Sequence, residues 1–151
     1  MRKNNKNFNL KAKLSTTIMS SGRKKTGEKI LLKSIKRLQK VTDKNMKTLI
    51  QQAIINTTST FKLNEQVIKK GKRKAMRITP HFILNNSLRL MTSLKSLKTA
   101  AAKSQKATCF YKKFANEILA SFALKSQAVE KKNEVHKQIL MNKKYLSNFR
   151  W

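Results

Sequence analysis

The chain has 151 residues, 36 of them Lys or Arg and 6 of them Asp or Glu, which sets a formal net charge of +30. A chain of this length folds as one domain, and its 39% hydrophobic residues suffice for a core, which excludes a wholly disordered basic tail. A body of such charge repels itself unless a polyanion neutralises it, so the expected partner is a nucleic acid.

Residues 1–27 contain no acid and carry Arg2, Lys3, Lys6, Lys11 and Lys13, followed by Ser15, Thr16 and Thr17. That composition resembles an organelle transit peptide; it is read here as a retained basic arm, 1–13, ahead of a single domain over 14–151. Ser21-Gly22 leads into a first helix, with Ile30, Leu31, Ile35 and Leu38 at helical spacing and lysines on the other faces. Asp43 is placed to N-cap a second helix, whose Met46, Leu49, Ile50, Ala53 and Ile54 form the cleanest amphipathic stripe of the chain. Period-two alternation on either side of Lys69-Lys70-Gly71-Lys72-Arg73-Lys74 predicts a β-hairpin arm at about 58–79. Pro80 is expected to open a third helix through Leu84, Ser87, Leu88, Met91, Leu94 and Leu97, with 98–107 either extending it or serving as a connector. Phe110, Phe114, Ile118 and Phe122 mark a fourth helix, and Val129, Val135, Ile139 and Leu146 the last. The predicted class is mainly α, a small bundle of about five to six helices with one projecting basic β-hairpin. Its core is expected at Leu49, Ile50, Ile54, Leu88, Met91, Phe114 and Ile118.

Catalytic and metal chemistry find little support. The six acids, Glu28, Asp43, Glu65, Glu117, Glu130 and Glu134, are scattered among lysines, and His81 and His136 lie far apart without a nucleophile beside them. The lone Cys109 excludes an internal disulfide and a cysteine-pair metal site, and is expected to be a small buried hydrophobe. There is no Gly-rich phosphate loop, and Lys or Arg interrupts every apolar stretch before it reaches membrane-spanning length. No enzyme activity, cofactor or metal is therefore expected. The phenylalanine stripe has the spacing of a core rather than of a base-stacking platform. The cation runs recur in the arm, the hairpin and the last helix with almost no acid to balance them, which is the footprint of a polyanion binder.

The terminal segment narrows this. Val129-Glu130-Lys131-Lys132-Asn133-Glu134-Val135-His136, then Asn142-Lys143 and Ser147-Asn148-Phe149-Arg150-Trp151, resembles the end of the small-subunit ribosomal protein seven family. Upstream, Met19-Ser20-Ser21-Gly22-Arg23-Lys24-Lys25-Thr26-Gly27-Glu28-Lys29-Ile30 resembles the family's opening, and Phe114-Ala115-Asn116-Glu117-Ile118-Leu119 a segment of its fourth helix. Arg89 stands where the family has an arginine in the third helix. The resemblance covers roughly residues 14–151. Where family members carry Arg-Arg-Val-Gly-Gly before the second strand, this chain has Lys69-Lys70-Gly71-Lys72, and its 98–110 stretch is longer than in bacterial members.

The resemblance implies a constituent of the small ribosomal subunit seated on the 3′ major (head) domain of its rRNA. The hairpin and last helix would line the exit-site tRNA and the mRNA exit path, among neighbouring head proteins and away from any membrane. RNA contacts are expected from Arg23, Lys24 and Lys25 at the helix entrance, and from Lys69, Lys70, Lys72, Arg73, Lys74 and Arg77 on the hairpin. Lys131, Lys132, His136, Asn142, Lys143, Arg150 and Trp151 are expected to contribute from the C-terminal segment. With 29 Lys and 13 Asn against 3 Gly and 1 Pro, residues of AT-rich codons dominate. Together with an end at Trp151, this points to an organellar member, mitochondrial before plastid, with a bacterial cytoplasm as the alternative. The competing readings are a DNA-compacting architectural protein and a membrane-surface binder. The first is separated by whether rRNA or DNA copurifies; the second is disfavoured because the charges surround apolar stripes instead of flanking one large apolar face.

Overall fold

The computed structural model describes residues 9–70, 73–104 and 108–142. Among the described residues the order is α1 (Leu10–Ile18), α2 (Lys24–Val41), α3 (Met46–Thr57), β1 (Phe61–Lys70), β2 (Arg73–Phe82), α4 (Asn86–Lys103), α5 (Phe110–Phe122) and α6 (Gln127–Met141). The bundle with one hairpin expected from periodicity is thus the fold observed.

Helix α5 is the hub, packing against α2, α3 and α4. Its four-residue aromatic spacing explains this: Phe114 is 2% exposed, Ile118 is buried, and Phe110 and Phe122 pack at the margin of the same cluster. The Phe110 and Phe114 rings stack at 6.0 Å, so the stripe is core. Leu31 and Leu38 of α2, Leu49, Ile50, Ala53 and Ile54 of α3, and Leu94, Leu97 and Ala101 of α4 close around it.

Helix α1 is the element the sequence reading missed, and it starts within the segment taken as a basic arm. Asn9 caps it, with Oδ1 accepting from the Ala12 N–H at 3.2 Å. Leu10, Leu14 and Ile18 recur every four residues, and the last two are buried in the main core. The flanking Ser15 and Thr17 donate back to the carbonyls of Ala12 and Lys13 one turn earlier. Helix α2 passes close over the end of α1: a Cβ on Gly27 would lie 3.2 Å from the Ser15 carbonyl oxygen and 3.3 Å from Met19 Cα.

Four local expectations need correction. The N-cap of α3 is Asn45, whose side chain accepts from the Lys47 N–H at 3.0 Å, and not Asp43, which lies too early to reach an orphan amide. Cys109 is exposed at the N-cap position of α5, where its carbonyl accepts from the Lys112 N–H at 2.9 Å. The stripe of α4 is rotated from the one expected. Leu94 and Leu97 are buried as expected, but Leu84 and Leu88 are 84% and 52% exposed and Met91 is half-buried, and Ser93, Ala100 and Ala101 complete the buried face instead.

Pro80, finally, opens no helix. It lies in β2 opposite Leu63, and α4 starts later, capped by Asn85 accepting from the Ser87 N–H at 2.9 Å. The Ile83 N–H donates to the Thr60 carbonyl at 2.9 Å, which fixes the alternation of bonded and non-bonded pairs along the antiparallel ladder. In that alternation the Leu63–Pro80 pair is non-bonded, so a residue without an N–H removes nothing there. Of the stretch 98–107, the part to Lys103 extends α4, with Ser104 at its C-cap; 105–107 lie outside the described residues.

Candidate nucleic-acid interface

The first cationic cluster stands at the entrance to α2. Ser21 and Gly22 adopt φ of 51° and 72°, and the Arg23 N–H donates to the Ser20 carbonyl at 3.1 Å. Two successive positive φ values closed by that bond make a type I′ turn. The turn delivers Arg23, Lys24 and Lys25, all exposed, to the first positions of the helix. No acid occupies that first turn, and no side chain caps it. Three cations therefore crowd the positive end of a helix dipole, an arrangement unfavourable by itself and favourable once an anion sits there.

The second cluster follows from strand register. Lys69 pairs with Lys74 and Lys70 with Arg73, so like charges stand directly opposite one another, which destabilises an isolated hairpin. Strand alternation assigns positions 62, 70, 73, 77 and 81, all Lys, Arg or His, to one face together with the uncharged positions 64, 66, 68, 75 and 79. Positions 61, 63, 67, 76, 78, 80 and 82 share the other, which is apolar apart from Glu65 and, toward the tip, the Lys69–Lys74 pair. At the base this apolar face is held by Phe61 and Phe82, edge-to-face at 5.5 Å, with the Arg89 guanidinium 4.8 Å over the Phe82 ring. Arg89 Nε also donates to the Ile83 carbonyl at 2.6 Å. The arginine singled out in the third helix is thus a brace at the root of the hairpin. Toward the tip Val67 and Met76 are exposed, so the arm stands clear of the body. Lys72 lies outside the described residues.

Helix α6 divides the remaining candidates. Lys131 is exposed. Lys132 is half-buried and donates to the Asn56 carbonyl at 2.9 Å, neutralising the C-terminal end of α3. His136 is partly buried, and its Nε2 is shielded without a hydrogen-bond partner. Asn142 caps α6, its Nδ2 donating to the Gln138 carbonyl at 2.9 Å. Lys143, Arg150 and Trp151 lie outside the described residues. The expected sites therefore differ in kind: Arg23, Lys24 and Lys25 at the helix entrance and Lys69 on the hairpin stand exposed, whereas Lys132 and Asn142 also hold the fold.

The Lys132 contact belongs to a polar junction joining α3, α5 and α6. Asn56 Nδ2 donates to the Ser121 carbonyl at 3.0 Å, and Ser121 Oγ donates to Ser126 Oγ at 2.9 Å. Ser126 in turn caps α6 by accepting from the Val129 N–H at 3.2 Å. Glu117 Oε1 accepts from the Ala128 N–H at 3.4 Å. Burial pushes the Glu117 carboxyl above the ordinary carboxylate range; its bonds to Ala128 and Ser126 pull the other way, and Glu130 adds to the rise. The Glu of the sequence motif at 114–119 is therefore a helix cap. Among the described residues no group of three or more His, Cys, Asp or Glu is placed to hold a metal ion, and no helix is long and apolar enough to cross a membrane.

Other lysines serve as internal ties that no sequence signal announces, because each partner is a distant carbonyl or hydroxyl. Lys98 Nζ donates to the Thr17 and Met19 carbonyls at 2.8 and 3.3 Å, closing the end of α1. Lys13 Nζ reaches Ser87 Oγ at 2.8 Å, and Lys113 Nζ reaches the Ser104 carbonyl at 2.8 Å. Lys44 lies 4.6 Å over the Phe122 ring, a cation–π contact.

Comparison with known proteins adds an independent line. Residues 1–143 match the family described as Ribosomal protein S7p/S5e; the closing Ser147–Trp151 motif falls beyond the matched stretch. A small ribosomal subunit protein uS7c from Euglena longa is 28% identical over 133 residues, 86% of this chain and 72% of that protein. A uS7 from Pseudothermotoga lettingae is 29% identical over 142 residues, covering 94% and 87%. A uS7m from Reclinomonas americana is 23% identical over 146 residues, covering 96% and 87%.

Proposed function

The chain belongs to the ribosomal protein S7p/S5e family, a constituent of the small ribosomal subunit, and from that premise we propose how it is used there. It holds the 3′ major (head) domain of small-subunit rRNA, with Arg23, Lys24 and Lys25 as the anchor. The hairpin arm, with Lys69, Lys70, Lys72, Arg73, Lys74 and Arg77, reaches past the anchored body toward the exit-site tRNA and the mRNA exit path. The role is structural, and no catalytic step is assigned to it. The relatives named uS7c, uS7 and uS7m fit an organellar or bacterial ribosome. The Lys- and Asn-rich, Gly- and Pro-poor composition favours the organellar one, mitochondrial before plastid.

One observation carries this reading: the cations opposite one another in the hairpin have each other, and no acid, as cross-strand neighbours. Such a ladder is unfavourable by itself and becomes favourable against a dense array of phosphates. Lysines act there as point charges on the backbone, and folded RNA supplies selectivity through its shape.

Reconstituted small subunits test the division of labour. Replacing the five cations at 69, 70, 72, 73 and 74 by Ala should leave sedimentation of the subunit intact and lower retention of exit-site tRNA. Replacing Arg23, Lys24 and Lys25 by Ala should block incorporation. A hairpin variant that fails to assemble beside a helix-entrance variant that assembles normally reverses the allocation.

A further inference from the structure

Between the root of the hairpin, α4 and α6 lies a cavity of about 470 Å³, within the range of small-molecule sites. Its walls are apolar, formed by Phe61, Leu63, Ile83 and Val135, and Lys62 and Lys131 stand exposed at its rim. No acid lines it. Between walls and rim it is edged with hydroxyls, which differ in one respect.

Thr57 Oγ1 donates to the carbonyls of Ala53 and Ile54, and Ser59 Oγ donates to that of Phe61. Thr92 Oγ1 donates to the Arg89 carbonyl and Ser96 Oγ to that of Ser93. Ser93 Oγ, on a residue 2% exposed, has no partner at all. A buried hydroxyl left unpaired is unfavourable unless a partner completes it. Among the described lining hydroxyls this is the one whose proton is uncommitted, and because it is shielded behind the cavity wall an acceptor reaches it only as the wall side chains shift on binding.

We propose that this cavity receives one unstacked nucleotide of the rRNA: its base between the apolar walls, an acceptor on the base edge taking the Ser93 hydroxyl proton, and its flanking phosphates at Lys62 and Lys131. The chemistry of the lining matches that ligand in each part. A flat apolar face suits Phe61 and its neighbours, a hydrogen-bonding edge suits Ser93, and an anionic link suits the rim. Splayed single-stranded bases are what RNA-binding proteins read specifically. The site would give a largely electrostatic binder one point of register on its RNA. The inference rests on the rRNA-binding reading above.

The test uses the full chain bound to a transcript of the 3′ major domain, with chemical modification of base edges as the readout. At least one base should be protected by the wild-type chain and reactive again with Val135→Trp, which fills the cavity, while the phosphate footprint at the helix entrance persists. Deleting that base from the transcript should weaken wild-type binding by roughly tenfold and leave Val135→Trp binding unchanged. Ser93→Ala should weaken RNA binding by about two- to tenfold while raising the urea midpoint of the free chain, an opposition that a packing role does not produce. Protection identical in wild type and both variants overturns the proposal, as does wild-type indifference to deleting each protected base, which requires no change to the protein. A wild-type chain that fails to bind the transcript overturns the rRNA reading itself, and this proposal with it.

Discussion

In the helical body the lysines that tie elements together meet carbonyl or hydroxyl oxygens; in the hairpin ladder lysine stands at the position opposite lysine. Lys98 closes the end of α1 and Lys132 the end of α3, each using the negative end of a helix dipole where a more acidic protein would use a carboxylate. Lys69 and Lys70 face Lys74 and Arg73. The body has solved its charge problem with its own backbone, so its stability is internal. The hairpin leaves its like charges opposite one another, and on the proposed reading RNA phosphates balance them. The contrast separates cations that build the fold from cations proposed to bind, which composition alone counts together.

The comparison breaks most plainly in the body. Phe114→Ala removes the ring at the centre of the α5 cluster and should destabilise the free chain by about 3–5 kcal/mol, read as a lower urea midpoint that changes little with salt. A loss of RNA affinity with unchanged stability would instead make the ring a binding surface.

Ser126→Ala deletes the cap of α6 and strands the buried Ser121 hydroxyl. The expected loss is about 1–3 kcal/mol, with amide exchange fastest in α6. Loss of stability spread evenly over all helices would deny the junction its local role.

Leu124 follows α5 with φ of 61°, in a Schellman turn closed by the Lys125 N–H on the Ala120 carbonyl at 2.8 Å. Leu124→Gly should stabilise the free chain by about 1 kcal/mol, because glycine adopts that conformation without strain.

On the hairpin side, Lys69→Glu replaces a like-charge cross-strand pair by an opposite one. It should stabilise the free chain by about 0.2–1 kcal/mol and weaken RNA binding at the same time. An improvement in both would show that the hairpin cations do not bind.

The smallest effect is in pH. Because burial raises the Glu117 carboxyl above its ordinary value, the protonated form is favoured in the folded chain. The associated stability is fully present below the unfolded carboxylate range and is lost as pH rises through the raised value. The urea midpoint of wild type relative to Glu117→Gln should fall across that window and level off above it.

Much of this was legible in the sequence. Helical spacing announced α2, α3 and α5, because each buries one continuous stripe against α5 or is α5, and period-two alternation announced the hairpin. What escaped detection depended on position in space. Helix α1 hid behind lysines that tie it to α4 and lie outside its Leu10–Leu14–Ile18 stripe. The α4 stripe was misphased because its buried face is made of Ser93, Ala100 and Ala101 as much as of leucine. Lys132 and Lys131 are adjacent and chemically alike in the chain, yet one is tied to the Asn56 carbonyl and the other stands free on the surface. The helix-entrance cluster was found by its motif, while the uncommitted hydroxyl of Ser93 shows only once every neighbouring hydroxyl has been assigned a partner.

The central claim is that the unengaged cations bind rRNA phosphates, and the salt dependence of binding to the 3′ major domain transcript tests it most directly. If ten phosphates are neutralised, affinity should fall by about five decades between 50 and 200 mM salt, on the scale of duplex binding. Lys69→Glu should make that slope shallower, and Phe114→Ala should leave it unchanged under conditions where the chain stays folded. A binding constant nearly independent of salt, or a slope insensitive to the hairpin cations, would contradict the account.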